Sequence, residues 1–157
     1  MDLQETLEAW QGVLRDIIPL MGESVTASEK DIVGILTQRL YELGEDGTGR
    51  KIGDRQPYSE RLKEYARMKN EMNPQVGYGN PDLKLTGAFY EGYNLEVVGE
   101  QVVIGNSDDK NVYLVNHYGE SILELSDDGW YQAWCDYIRD NLIINIAERT
   151  GCGIIEV

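Results

Sequence analysis

The chain has 157 residues, 41% hydrophobic and 27% charged, with 28 acidic and 14 basic side chains, a formal net charge of −14, two cysteines and one histidine. That length suits one domain with a real core and is short for two. An acidic chain repels a phosphate backbone, which argues against a general nucleic-acid surface, and no apolar run approaches the roughly 18 residues of a membrane helix.

The chain opens MDLQETLEAW, acidic where a secretory signal is basic and apolar, and it contains no N-x-S/T sequon. The expected compartment is therefore the cytoplasm, with Cys135 and Cys152, which lack CxxC spacing, as free thiols. Leu3, Leu7, Trp10, Leu14 and Ile17 follow steps of four and three, which predicts one helix ending at Pro19. Ser28, with Asp31 three residues on, predicts the capped start of a second helix through Val33, Leu36, Leu40 and Leu43, stopped by Gly44. The two stripes are expected to pack as an antiparallel pair over residues 1–43.

Residues 44–57, GEDGTGRKIGDRQP, read as a glycine-rich loop, either a surface turn or a hinge that frees the basic segment after it. Residues 50–84 carry eight basic and five acidic side chains, a local charge of +3 against −17 for the rest. Within them a basic helix is predicted over 58–73, with Tyr58, Leu62, Tyr65 and Met72 along one side and Arg61, Lys63, Arg67 and Lys69 around the remainder, ending before Pro74. Such a basic arm on an acidic body can dock head to tail with copies of itself, or can be a solvated helix face.

After DLKLTGAFYEGY the period becomes two. Leu95, Val97 and Val98, then Val102, Val103 and Ile104, flank Gly99-Glu100, a pair suited to a type II′ hairpin turn. Two strands alone are marginal, so the hairpin must pack on helices, and its edge is open to a partner. VYLVNHYGE follows, and Ser126 with Asp127 and Asp128 predicts the N-cap of a last helix. Trp130, Trp134, Tyr137, Ile138, Leu142, Ile143 and Ile146 give that helix a broad apolar face, and Gly151 is placed to end it.

Chemistry-bearing motifs are few. GEDGTGRK resembles a phosphate loop in its glycine spacing, but Arg50 stands at the lysine position, no Ser or Thr follows Lys51, and a helix comes before it. His117 is the single histidine, best read as a packing or hydrogen-bonding residue, and an enzyme would need it in a deep pocket with nearby acids. The pairs Asp108-Asp109 and Asp127-Asp128 lack the alternation of a calcium loop. Ten tyrosines and three tryptophans against one phenylalanine favour half-buried surfaces and interfaces, with Tyr78, Tyr90, Tyr93, Tyr113 and Tyr118 in or beside the hairpin half.

The order of DLKLTGAFYEGY, VVGEQVVIGNS and NVYLVNHYGE over residues 82–149 resembles the tail-completion or neck proteins between capsid and tail in tailed bacteriophages. Leu85-Thr86-Gly87 matches the family's TG element, Val103-Ile104-Gly105 the end of its hairpin, and Tyr113 through Tyr118-Gly119 its short helix before glycine. Leu85 departs where an acid is frequent, Glu120 departs where a threonine is common, and the N-terminal half is less easily matched. The resemblance implies a non-enzymatic virion protein without cofactor or metal, forming a homo-oligomeric ring that joins portal and capsid to the tail and lines the DNA channel. Its partners would be copies of itself, portal or adaptor and tail proteins, and passing DNA without specific binding.

The combined expectation is one α+β domain of N-terminal helices, a β-hairpin or small antiparallel sheet, and a long C-terminal helix. The expected subunit interface comprises Arg50, Lys51, Arg55, Arg61, Lys63, Arg67 and Lys69 with Leu85, Thr86, Gly87, Phe89, Tyr90, Tyr113 and Tyr118. The alternative function is an acidic binding module or inhibitor that covers a basic protein partner.

Overall fold

In the computed structural model, which describes residues 2–55 and 59–151, the chain forms the α+β arrangement that its periodicities imply. Helices α1 (Leu3–Arg15), α2 (Ile17–Ala27) and α3 (Glu29–Leu43) lead into a short α4 (Ile52–Arg55). A 3₁₀ turn, Glu60–Leu62, precedes α5 (Lys63–Met72), and α6 (Ala88–Glu91) leads into strands β1 (Tyr93–Val98) and β2 (Gln101–Asn106). Then come α7 (Asn111–Tyr118), a 3₁₀ turn at Glu120–Leu123, α8 (Asp127–Ala133), a π segment at Trp134–Ile138 and α9 (Arg139–Thr150). The last three run on as one long C-terminal helix, begun by Ser126 accepting from the Gly129 amide and ended by Gly151 at φ +65°.

The N-terminal stripe does not pack as its pattern predicts. The chain breaks at Asp16, and Pro19 lies in the first turn of α2, where its missing amide hydrogen is not needed. Helix α1 packs mainly on α9, not on α3. Its one buried residue is Val13, while Leu3, Leu7 and Leu14 are each at least half exposed. Ser28 does mark the start of α3, but its hydroxyl does not cap the helix. Instead it donates to the Ser24 carbonyl and accepts from Asn141 of α9 at 2.8 Å, one turn along from a matching Asn145–Ser24 contact at 2.9 Å. These buried serines lock α2 to α9 with every hydroxyl used twice, as buried polar groups require.

The glycine-rich segment is more ordered than a hinge. Gly44 ends α3 at φ +63°, Glu45 and Lys51 bridge, and Asp46 is buried. One Asp46 oxygen accepts from the Thr48 amide and hydroxyl, the other from the Ser121 hydroxyl at 2.8 Å. Gly47 lies so close to Glu124 that an added Cβ would come within 2.3 Å of its Cβ. Of the two readings of residues 44–57, these contacts support the turn over 44–55; residues 56–58, with Tyr58, lie outside the described residues.

The hairpin forms as predicted, antiparallel from Tyr93–Asn106 to Val98–Gln101, with Gly99 at φ +62°. It packs through β1 on α2 and α3. Tyr93 and Leu95 enter a core with Ile32, Ile35, Leu36, Leu40, Phe89, Ile122 and Ile138, while Val13, Leu20 and Leu142 form a smaller cluster where α1, α2 and α9 meet.

Leu7 and Leu40 are equivalent members of apolar stripes in the sequence, but Leu40 is 1% and Leu7 51% exposed. Leu40→Ala is expected to lower unfolding stability by about 2–5 kcal/mol and Leu7→Ala by about 0.5 kcal/mol or less, read by urea denaturation.

Candidate functional site: an aromatic cleft on a buried ion pair

The basic helix turns a different side to the core than its apolar residues suggest. Leu62 and Met72 are exposed, whereas Ala66 and Lys69 are buried. Lys69, expected on the outer basic face, is 5% exposed and meets Asp82 at 2.6 Å. That removes it from the set available to a neighbouring subunit. A lysine among charged neighbours at helical spacing carries no mark of burial; the partner sits thirteen residues on, in a turn.

Around this pair a polar knot closes. The Lys69 ammonium also donates to the Lys84 carbonyl. Asp82 Oδ1 accepts the Lys84 amide at 3.0 Å and Oδ2 accepts Asn73 Nδ2 at 2.9 Å. The same Asn73 nitrogen donates to the Tyr41 carbonyl at 2.6 Å, satisfying one of the otherwise orphaned carbonyls at the end of α3. Asn73 Oδ1 is buried without a partner among the described residues. Tyr90 donates its hydroxyl to the Asp82 carbonyl, so this residue, expected at a subunit contact, serves the knot. Lys84 places its ammonium 4.5 Å from the Tyr41 ring centre and 5.5 Å from that of Tyr90, a favourable cation–π geometry. Between the anchored neighbours Leu83 is held at φ +55°, a region that costs a non-glycine residue about 1–2 kcal/mol.

The knot positions the LTG segment as the wall of a cleft of about 590 Å³. Leu85, Thr86, Gly87 and Phe89 line it together with Tyr113 and Tyr118, so six of the predicted interface residues, from two separate parts of the chain, share one surface. Gly87 takes φ +94° where the turn enters α6. Phe89 forms the floor, edge-on to Tyr93 at 5.2 Å. Along α7, Tyr113 stacks parallel to His117 at 6.0 Å, and His117 meets Tyr118 edge-on at 4.6 Å. Tyr65, Lys84 and Lys110 also line it, beside two carboxylates, Asp82 and Asp108. The sequence reading did not assign Tyr65, Lys84, Lys110 or His117 to the surface, because α5, the segment before α6 and α7 meet only in the fold.

The other expected residues fall outside the cleft. Lys51 pairs with Glu45 in the bridge and Arg50 precedes it, both with exposed side chains, and Arg61, Lys63 and Arg67 are exposed on and before α5. The Arg55 side chain and Cys152 lie outside the described residues; Cys135 is a free, half-buried thiol. Among the described residues no group of three or more His, Cys, Asp or Glu is arranged to hold a metal ion, and no helix is long and apolar enough to cross a membrane. The cleft offers aromatic faces, hydroxyls and a mixed rim of two lysines and two carboxylates, which is the chemistry of a protein contact.

Compared with known proteins, the chain matches no family model, no curated protein and no solved structure.

Two predictions follow from the knot and its tyrosines. Lys69→Met leaves Asp82 buried and unpaired, and is expected to cost about 3–5 kcal/mol in urea denaturation. Adding Asp82→Asn to it is expected to restore a measurable part of that loss. Burial, with Asp82 nearby, holds the Tyr90 hydroxyl far above its ordinary value of 10.0; burial does the same for Tyr93 and pushes Tyr118 up to about 12. Unfolded tyrosines release protons first, so the native state binds more protons above that ordinary value. The contribution of these tyrosines should be constant below about pH 10, and stability should fall as pH rises above it, measured as the urea midpoint against pH between about 9 and 12.

Proposed function

We propose that the protein is a structural virion component, a tail-completion or neck ring protein that joins portal and capsid to the tail and lines the DNA channel. The observation that carries this reading is the convergence of Leu85-Thr86-Gly87 with Tyr113 and Tyr118 on one aromatic cleft beside the basic helix. These are the residues through which the sequence resembles that family, and they lie in segments separated by the whole hairpin.

The charge distribution supplies a docking logic. Residues 50–84 are net basic and the remainder strongly acidic. In a ring, each copy can set the Arg61, Lys63 and Arg67 side of its cleft against the acidic body of the next, a heterologous contact that closes by rotation. An acidic channel lining offers few phosphate contacts, so DNA slides past without being held. With Lys69 committed to the interior, the basic contact rests on the exposed residues of α5 and its preceding turn.

The test is a local cryo-electron microscopy reconstruction of the portal and neck in virions purified from the chain's source. Density for this fold as a ring at the portal is expected, with the cleft against a neighbouring copy. Absence of the chain from the particle overturns the reading and makes an acidic module covering a basic partner the leading account.

A further inference from the structure

The hairpin has one closed edge and one open one. A two-residue turn makes Val98–Gln101 a hydrogen-bonded pair, and pairs then alternate, so Leu95–Ile104 and Val97–Val102 point their amides and carbonyls away from the partner strand. Two bonds confirm this parity. The Ser107 amide donates to the Gly92 carbonyl, continuing the paired set, and the outward Leu95 amide donates to Glu29 of α3 at 3.0 Å. Thus β1 has its edge met by a helix. On β2 the outward groups of Val102 and Ile104 have no hydrogen-bond partner among the described residues.

Alongside this edge runs a groove of about 740 Å³. Val102, Val103 and Ile104 all line it, although their side chains alternate faces, so the groove follows the strand's edge itself. Its far wall comes from α7, the Glu120–Leu123 turn and the start of α8. Among the described residues every charged side chain in the lining is acidic: Glu120, Glu124 and Asp127. The Asn111 amide oxygen, in the same lining, is buried with no donor among the described residues.

We propose that this groove receives an extended, cationic segment of a partner protein, which adds to β2 as a third strand. The strand edge supplies main-chain hydrogen bonds at Val102 and Ile104, and the carboxylates select lysine or arginine on the incoming strand. A second copy does not fit this description. Its own β2 is uncharged, a β2-to-β2 pairing brings two carboxylate walls together, its exposed Arg61, Lys63 and Arg67 belong to a helix or its preceding turn, and its Lys51, beside Arg50, is already bridged to Glu45. The inference is independent of a place in the virion.

The test titrates the full chain, by amide-resolved NMR, with the peptide acetyl-Val-Lys-Val-Lys-Val-Lys-amide and with its glutamate counterpart. The lysine peptide should give saturable shifts at Val102, Ile104 and Asn106 and slow exchange of the outward amides, and the glutamate peptide none. Glu120→Lys with Glu124→Lys should weaken binding about tenfold or more. Val102→Pro removes an outward amide without taking a β1–β2 bond, and should abolish binding. A lysine peptide N-methylated at alternate residues makes the same test with the unaltered chain. Equal binding of both peptides, no saturable shift at millimolar peptide, unchanged affinity for the N-methylated peptide, or a dimer in sedimentation that Val102→Pro dissolves would each overturn the proposal.

Discussion

Burying Lys69 with Asp82 takes two full charges out of water, a cost of several kcal/mol per ion that only close pairing and complete hydrogen bonding return. The surrounding geometry is therefore strict. Both Asp82 oxygens are occupied, and the lysine reaches a backbone carbonyl as well as the carboxylate. Through Asn73 the same knot ends α3, through Lys69 it fixes the rotation of α5, and through Tyr90 it holds α6. A positive φ at Leu83 persists because its neighbours on both sides are pinned. The LTG wall of the cleft is thus set by an ion pair whose carboxylate, Asp82, itself lines the cleft.

Much of the fold was legible because period and punctuation act locally. Ser126 caps, Gly44 and Gly151 stop helices, Gly99 turns a hairpin, and Asn73 leaves the helix before Pro74, each through backbone constraints within a few residues. The failures share a different cause. The α1 stripe looked like a core face, yet α1 is attached to α9 by a neighbouring side of the helix, through Val13. Ser28 looked like a cap, yet its hydroxyl is claimed by Asn141 from more than a hundred residues away. Lys69 looked like surface, yet its partner is an aspartate in a turn that no helical period reveals. Long-range polar pairing overrides local pattern wherever the distant partner is buried too.

The candidate surface was legible in part for the same reason. Residues named through resemblance, Leu85, Thr86, Gly87, Phe89, Tyr113 and Tyr118, meet at one cleft. Those named through charge did not stay together, since composition records how many cations a segment holds and not which way each faces. Lys69 turned inward, Lys84 lies over two tyrosine rings, and Arg61 and Arg67 stayed at the surface.

Helix α7 separates the two candidate surfaces. It has no fully buried residue although it carries Val112, Leu114 and Val115, which is anomalous for a helix that only fills a core. Its residues divide instead between two walls. Tyr113, Leu114, His117 and Tyr118 face the aromatic cleft with its mixed rim of lysines and carboxylates, while Asn111, Val112, Val115 and Asn116 face the acidic groove beside β2. The walls lie back to back across one helix, a separation of about 10 Å. That is close to one Debye length at physiological ionic strength, so charges on the two sides are only partly screened from each other. A cationic strand entering the groove would therefore reduce the negative field felt at the cleft, and the contact made on one side of α7 bears on the charge that a partner meets on the other.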